Sequence, residues 1–155
     1  MPAFKWDKIF ITAVIIAIVG QIIHWLASSF SMGYYVDPGY AGVWSKIMMP
    51  SAGPPPPSFL VYSLAFGFVS AFLLTFVFVL ISPGLKGRNW LSKGAFYSLV
   101  LFLVAGIPSS FALILLINLP SGLVILWLVE SMVVYFVDGL LISLLNKRGK
   151  ADVKL

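Results

Sequence analysis

Four stretches of more than 20 residues without one lysine or arginine limit what this chain can fold into. They run from Ile9 to about Phe30, from Phe59 to Ile81, from about Ala95 to Ile117, and from about Leu123 to Leu145. Some 20 apolar residues in a helix are needed to cross ~30 Å of hydrocarbon. A segment in lipid must satisfy its own backbone hydrogen bonds, so helix is the expected state. A membrane β-barrel would need short alternating segments, which the sequence lacks.

Composition points the same way. Apolar residues make up 61% of the 155 and charged residues 10%. A small soluble domain leaves too much of its surface in water to hide that apolar content. The first stretch also resembles a signal peptide, with Lys5 and Lys8 ahead of it and Leu26-Ala27-Ser28 like a cleavage site. It is longer than the usual ~7–15-residue apolar core of such signals, so it is expected to be a retained helix.

Charge sorting predicts orientation. Lys5 and Lys8 precede the first stretch, Lys86, Arg88 and Lys93 follow the second, and Lys147, Arg148, Lys150 and Lys154 follow the fourth. With four crossings these nine basic residues share one side, and Lys46 alone falls on the other. Basic residues stay on the cytoplasmic side. The expected fold is therefore an all-α integral membrane protein, an antiparallel four-helix bundle with both termini cytoplasmic, in the cell (inner or plasma) membrane. The helices are expected over about 9–30, 59–82, 95–117 and 123–145, as one domain. The net charge of +5 is a topology signal and not a nucleic-acid footprint.

The connections differ in kind. Ser82-Pro83-Gly84 should end the second helix. Asn118 to Gly122 is a tight turn, which makes the last two helices neighbours. The long outer segment over 31–58 carries Tyr34, Tyr35 and Trp44, all candidates for a lid over an outer pocket. Its aromatics also suit an interfacial belt. Tyr40 to Met49 suits a short interfacial helix. Pro54 to Pro57 suits a stiff polyproline stretch. The polar chain after Asn146 is expected to fray.

Polar residues within the apolar stretches mark the candidate site. From the rise per residue, His24 and Glu130 each fall about 6 Å to the outer side of mid-membrane, with Pro108, Ser109 and Ser110 about 3–6 Å out. Asp138 falls about 6 Å to the inner side. Ala17, Gln21, His24, Ser28 and Ser31 share one helix face, the kind used for helix contact in lipid. Ile15, Ile22 and Leu26 on the other face should meet lipid. Pro108 should kink the third helix, with Gly106, Ser109 and Ser110 relieving the strain.

An ionisable group in a membrane helix costs roughly 2.5–3.5 kcal/mol on insertion scales, which makes Glu130 and Asp138 functional candidates. Each also has a purely structural reading as a hydrogen-bond partner within the bundle. His24 beside Glu130 would share or relay a proton, because imidazole ordinarily titrates near pH 6.5. One histidine and no cysteine are too few for a metal site, and none is expected. No cofactor motif, nucleophile elbow or phosphate-binding loop is present. A hydrolase built on Ser110 and His24 is a remote reading. The uncharged second and third stretches argue against a wide aqueous pore.

Two function classes remain. One is a small-solute or proton-coupled carrier with an outer-half pocket around His24, Ser110 and Glu130, and with Gln21, Ser109 and Asp138 as further ligand- or proton-binding candidates. One four-helix unit is thin for alternating access, so this class implies a homo-oligomer. The other is a non-catalytic subunit that stabilises or regulates another membrane protein. Lipid is the partner common to both.

Overall fold

The structure is a computed structural model that describes residues 5–51 and 54–147. Among these the chain is all-helical: α1 (Trp6–Tyr35), a 3-10 turn (Pro38–Val43), α2 (Pro57–Ile81), α3 (Trp90–Leu101), a π-helical segment (Phe102–Gly106), α4 (Ile107–Leu116) and α5 (Ser121–Leu145). The segment from Trp90 to Leu116 runs as one span, so four helices are long and apolar enough to cross a membrane. Arg148, Lys150, Lys154 and the expected fraying of the tail lie outside the described residues.

The helices run past the expected bounds where helix costs nothing against lipid. The 30 residues of α1 make a rod of about 45 Å, longer than the hydrocarbon layer. Its ends, with Asp7 and Lys8 at one and Tyr34 and Tyr35 at the other, can reach the interfaces. The connection between α1 and α2 shrinks accordingly to 36–56. It does not form the expected helix over 40–49. Pro38, Gly39 and Gly42 favour a 3-10 turn, which the Asp37 carboxylate caps by accepting from Gly39 N at 2.8 Å. A second turn follows, in which Ser45 O accepts from Met48 N and Met49 N. Pro56 has extended dihedrals of −68° and 158°, matching polyproline II. Pro57 is already the first residue of α2, where its missing N–H is no loss.

Polar groups fix the connection between α2 and α3. Lys93 Nζ donates to Ser82 O at 2.7 Å, just beyond the end of α2, where a cation meets unpaired carbonyls and the negative end of the helix dipole. Asn89 and Ser92 form a reciprocal cap at the start of α3. Between them Gly87 has φ +134°, and an added Cβ would come within 2.8 Å of Lys93 N.

The π segment has an identifiable cause. Pro108 has no N–H, and in a regular helix its ring would meet the carbonyl of Val104. The chain inserts an extra residue instead, and Ile107 N–H bonds to Phe102 O, five residues back.

Helix order follows from packing. α1 lies along α2 on one flank and α5 on the other, and α5 lies along α3. Side chains record the direction of the α1–α5 pairing: Lys8 Nζ bonds Lys147 O, Asn146 Nδ2 bonds Thr12 Oγ1, His24 meets Glu130, and Trp127 meets Tyr35. Between α3 and α5 the contact is made by small residues. A Cβ on Gly94 would lie 2.8 Å from Gly139 O and 3.0 Å from Leu140 Cα. Ser98 Oγ donates to Gly94 O at 2.9 Å and to Phe136 O at 3.3 Å, while Ser143 Oγ donates to Trp90 O at 2.7 Å. Close backbone approach of this kind holds helices together where lipid supplies no hydrophobic drive.

The core sits toward one end, the end that carries Lys8, Lys93 and Lys147. Ile9, Thr12, Ala13 and Ile16 are buried there on one face of α1, against Ala71, Thr75 and Phe78 of α2 and Ile142 of α5. Tyr97 ties α3 to α2: its hydroxyl donates to Leu74 O at 2.8 Å and its ring meets Phe78 edge-on at 5.2 Å. α4, at the far end of the same span, packs against α5 and the π segment. Much of its outer surface is bare, with Leu115 and Leu116 about 80% exposed. Ile22 and Leu26 on α1 are likewise exposed and Ile15 is half-buried, which suits a surface that faces lipid.

Candidate functional site

A groove runs between α2 and α5 with α1 as its floor. Its volume is about 640 Å³, within the ~300–1,000 Å³ typical of small-molecule sites. The floor is Ile16, Ala17, Gly20, Gln21 and His24 of α1. One wall is a face of α2, on which Phe59, Ser63, Gly67, Ser70 and Leu74 recur at helical spacing. The other wall is α5, from Trp127 to Asp138.

His24 and Glu130 meet where the α1 floor joins the α5 wall, with Nδ1 and Oε1 2.7 Å apart. With the carboxylate ionised, the imidazole N–H donates, and the short distance is that of a charge-assisted hydrogen bond. The Glu130 side chain is 14% exposed and that of His24 43%. The pair therefore belongs to the groove wall and is open to what the groove contains. One turn deeper on α1, Gln21 Oε1 accepts from Ser63 Oγ at 2.7 Å, tying α1 to α2. Ser131, beside Glu130, spends its hydroxyl on Leu128 O of its own helix.

Asp138 is at the deep end, two turns below Glu130 on α5. It is only 4% exposed, lines the groove, and its Oδ1 has no hydrogen-bond partner. Unpartnered buried carboxylate oxygens are rare, because the missing bond costs most of the group's hydration.

The far end of the groove is aromatic. Trp127 Nε1 donates to Tyr35 Oη at 3.0 Å, and Trp44 packs its ring 5.0 Å from Tyr35 and 6.3 Å from Trp127. Tyr35 and Met48 line the groove from this side, and Trp44 backs Tyr35 from behind. Tyr34 is elsewhere: its hydroxyl lies against Gly122 at the start of α5.

Ser109 and Ser110 do not reach the groove. Ser109 is exposed on the outside of α4, and Ser110 is buried with its hydroxyl bonded to Gly106 O at 3.0 Å. The expectation that they share a pocket with His24 assumes a regular third helix. The π insertion turns everything after it by about one residue, or ~100°. Ser28, expected on the same face as His24, is part-buried and bonds back to Trp25 O.

Sequence reasoning passed over the α2 wall. Ser63, Gly67 and Ser70 are small or polar at positions i, i+4 and i+7 of an uncharged helix, and that stripe was the available signal. Among the described residues no group of three His, Asp or Glu side chains is placed to hold a metal ion. Comparison with protein-family models, with curated proteins and with solved structures gives no match to this chain.

Proposed function

We propose that this protein is a membrane carrier that takes a small solute into the α1–α2–α5 groove from the far end, with His24 and Glu130 as its proton-sharing pair. In this reading the bundle is antiparallel in the cell membrane, with the basic end and both termini cytoplasmic and the groove opening toward the outer side. The observation that carries it is the 2.7 Å His24–Glu130 contact on the wall of a cavity. A pair retained only to pin two helices together would be buried between them. This imidazole is 43% exposed, although each ionisable group in a membrane helix costs roughly 2.5–3.5 kcal/mol on insertion scales. Such groups commonly mark ion and solute paths. Imidazole is the side chain that ordinarily changes charge between pH 5 and 8, so the pair can exchange a proton while the groove is filled or emptied. A single four-helix unit offers little to rock against, and the working form in this reading is an oligomer.

The test is thermal unfolding of the purified protein in detergent between pH 5 and 8. The additions are a panel of an organic ammonium ion, a carboxylate, a neutral sugar and a neutral aromatic compound. A ligand that binds only the folded state raises the unfolding temperature. Stabilisation by one member, lost in Glu130→Gln, is the expected result. No stabilisation by any member, together with a membrane protein that co-purifies at fixed ratio, would overturn the carrier reading in favour of a stabilising or regulatory subunit. Orientation has its own test: reporters fused at the two termini should report one side, and a reporter inserted near Met49 the other.

A further inference from the structure

The charge in the groove identifies what it would hold. Its lining has three titratable groups that change charge near neutrality or are ordinarily charged there, His24, Glu130 and Asp138, and no lysine or arginine. His24 and Glu130 satisfy each other. Asp138 is left over: it is deeply buried, lines the groove, and has its Oδ1 unbonded. From there toward the far end the lining is ring surface: Tyr62 and Phe66 on α2, Tyr35 and Trp127 opposite. Resting on the carrier reading above, we propose that the solute is a lipophilic organic monocation, whose charge is met by Asp138 and whose apolar body lies among these rings.

Three physical arguments select this ligand class. An anion would face an unpaired carboxylate in a low-dielectric groove with no fixed cation to offset it. A bare inorganic cation would need several oxygen ligands in place of its hydration shell, and no three-ligand group stands among the described residues. An organic cation is weakly hydrated, so one carboxylate and several aromatic faces can replace the water it gives up. The geometry allows both at once. Asp138 lies eight residues from Glu130 and eleven from Trp127 along α5, about 12 and 16 Å at the helical rise. A bulky cation seated at Asp138 therefore extends toward the His24–Glu130 pair, with Tyr62 and Phe66 of α2 among the groove's lining rings. Tyr97 of α3 and Tyr135 of α5, the other titratable groups beside Asp138, are neutral phenols near pH 7 in their ordinary range and add no competing charge.

The test compares three ligands of related shape on wild-type protein in detergent: tetraphenylphosphonium, neutral triphenylphosphine oxide and anionic tetraphenylborate. Equilibrium binding should favour the phosphonium at least about tenfold over the oxide, with no binding of the borate. Asp138→Asn should weaken phosphonium binding at least about tenfold and leave oxide binding unchanged, and Asp138→Glu should recover most of the loss. If Asp138→Asn does not fold, Tyr62→Ala takes its place, with a loss of about threefold or more expected for the phosphonium. Equal binding of cation and neutral compound, preference for the borate, or a folded Asp138→Asn with undiminished phosphonium affinity would each overturn the cation assignment. If the phosphonium fails while the carboxylate or the sugar of the earlier panel stabilises the protein, the carrier reading survives and the ligand class falls. If every compound fails, both fall.

Discussion

The small-residue contact between α3 and α5 yields a prediction in which the sign alone is decisive. An added Cβ at Gly139 would overlap the Ser98 hydroxyl and lie 2.9 Å from Gly94 O and 3.1 Å from Ser98 N. The Ser98 hydroxyl can rotate away, at the loss of its bonds to Gly94 O and Phe136 O, about 1 kcal/mol for a typical hydrogen bond. The backbone atoms cannot move unless the helices part. Carbon–oxygen contacts between helices settle near ~3.3–3.6 Å, so α3 and α5 would separate by roughly half an ångström. A gap of about that size forfeits a quarter or more of each dispersion contact along the seam. Overpacking of a core costs about 1–3 kcal/mol. Against this, alanine is favoured over glycine within a helix by about 1 kcal/mol. Gly139→Ala should therefore destabilise by a net ~1–3 kcal/mol, taking the overpacking and hydrogen-bond costs against the propensity gain. Gly33, near the end of α1, has nothing within 4 Å of where a Cβ would stand. There only the propensity gain applies, and Gly33→Ala should stabilise by up to ~1 kcal/mol. Reversible unfolding in mixed micelles with rising dodecyl sulfate, followed by tryptophan fluorescence, measures both. Gly139→Ala as stable as wild type, or Gly33→Ala as damaging as Gly139→Ala, would refute the close-approach account of α3 and α5.

Other contacts give further expectations. In a double-mutant cycle of His24→Ala and Glu130→Gln, measured by the same unfolding assay, the coupling should be about 1 kcal/mol and below ~2, since hydrogen bonds between membrane helices average ~0.6 with a maximum near 1.7; additivity within ~0.3 kcal/mol would mean the groups do not interact. Lys93→Met keeps the apolar stem but loses the bond to Ser82 O, and it should cost about 0.5–1.5 kcal/mol in that assay. Tyr97→Phe removes the hydroxyl that reaches Leu74 O and should lower stability by about 1 kcal/mol; because this bond ties α3 to α2, hydrogen exchange in α2 around Leu74 should quicken as well.

The four spans were legible because lipid poses a one-dimensional question. A stretch either is long and apolar enough to cross or it is not, and each basic residue lies at its end or does not. The common depth of His24 and Glu130 was legible for the same reason, since rise per residue depends on sequence position alone. Azimuth is different, because it depends on every insertion upstream and on which neighbour a face meets. The π segment at Phe102–Gly106 turned Ser109 to the outside and left Ser110 bonded to its own helix. Pro108 announced the disturbance but not the direction in which the chain would relieve it. The segment from Tyr40 to Met49 had helical composition, yet Pro38, Gly39 and Gly42 with the Asp37 cap settled it as two turns.

By itself, then, the order of residues determined that the chain has four helices long and apolar enough to cross a membrane and carries histidine and glutamate at one depth. Tertiary structure alone decided that α2, with no charge of its own, would wall a cavity with α1 and α5, and that Asp138 would line that cavity with its Oδ1 unbonded. The physical reason is that length and polarity are properties of a segment, whereas a groove and an unpaired carboxylate exist only between segments. They depend on how closely glycine and serine allow two backbones to approach.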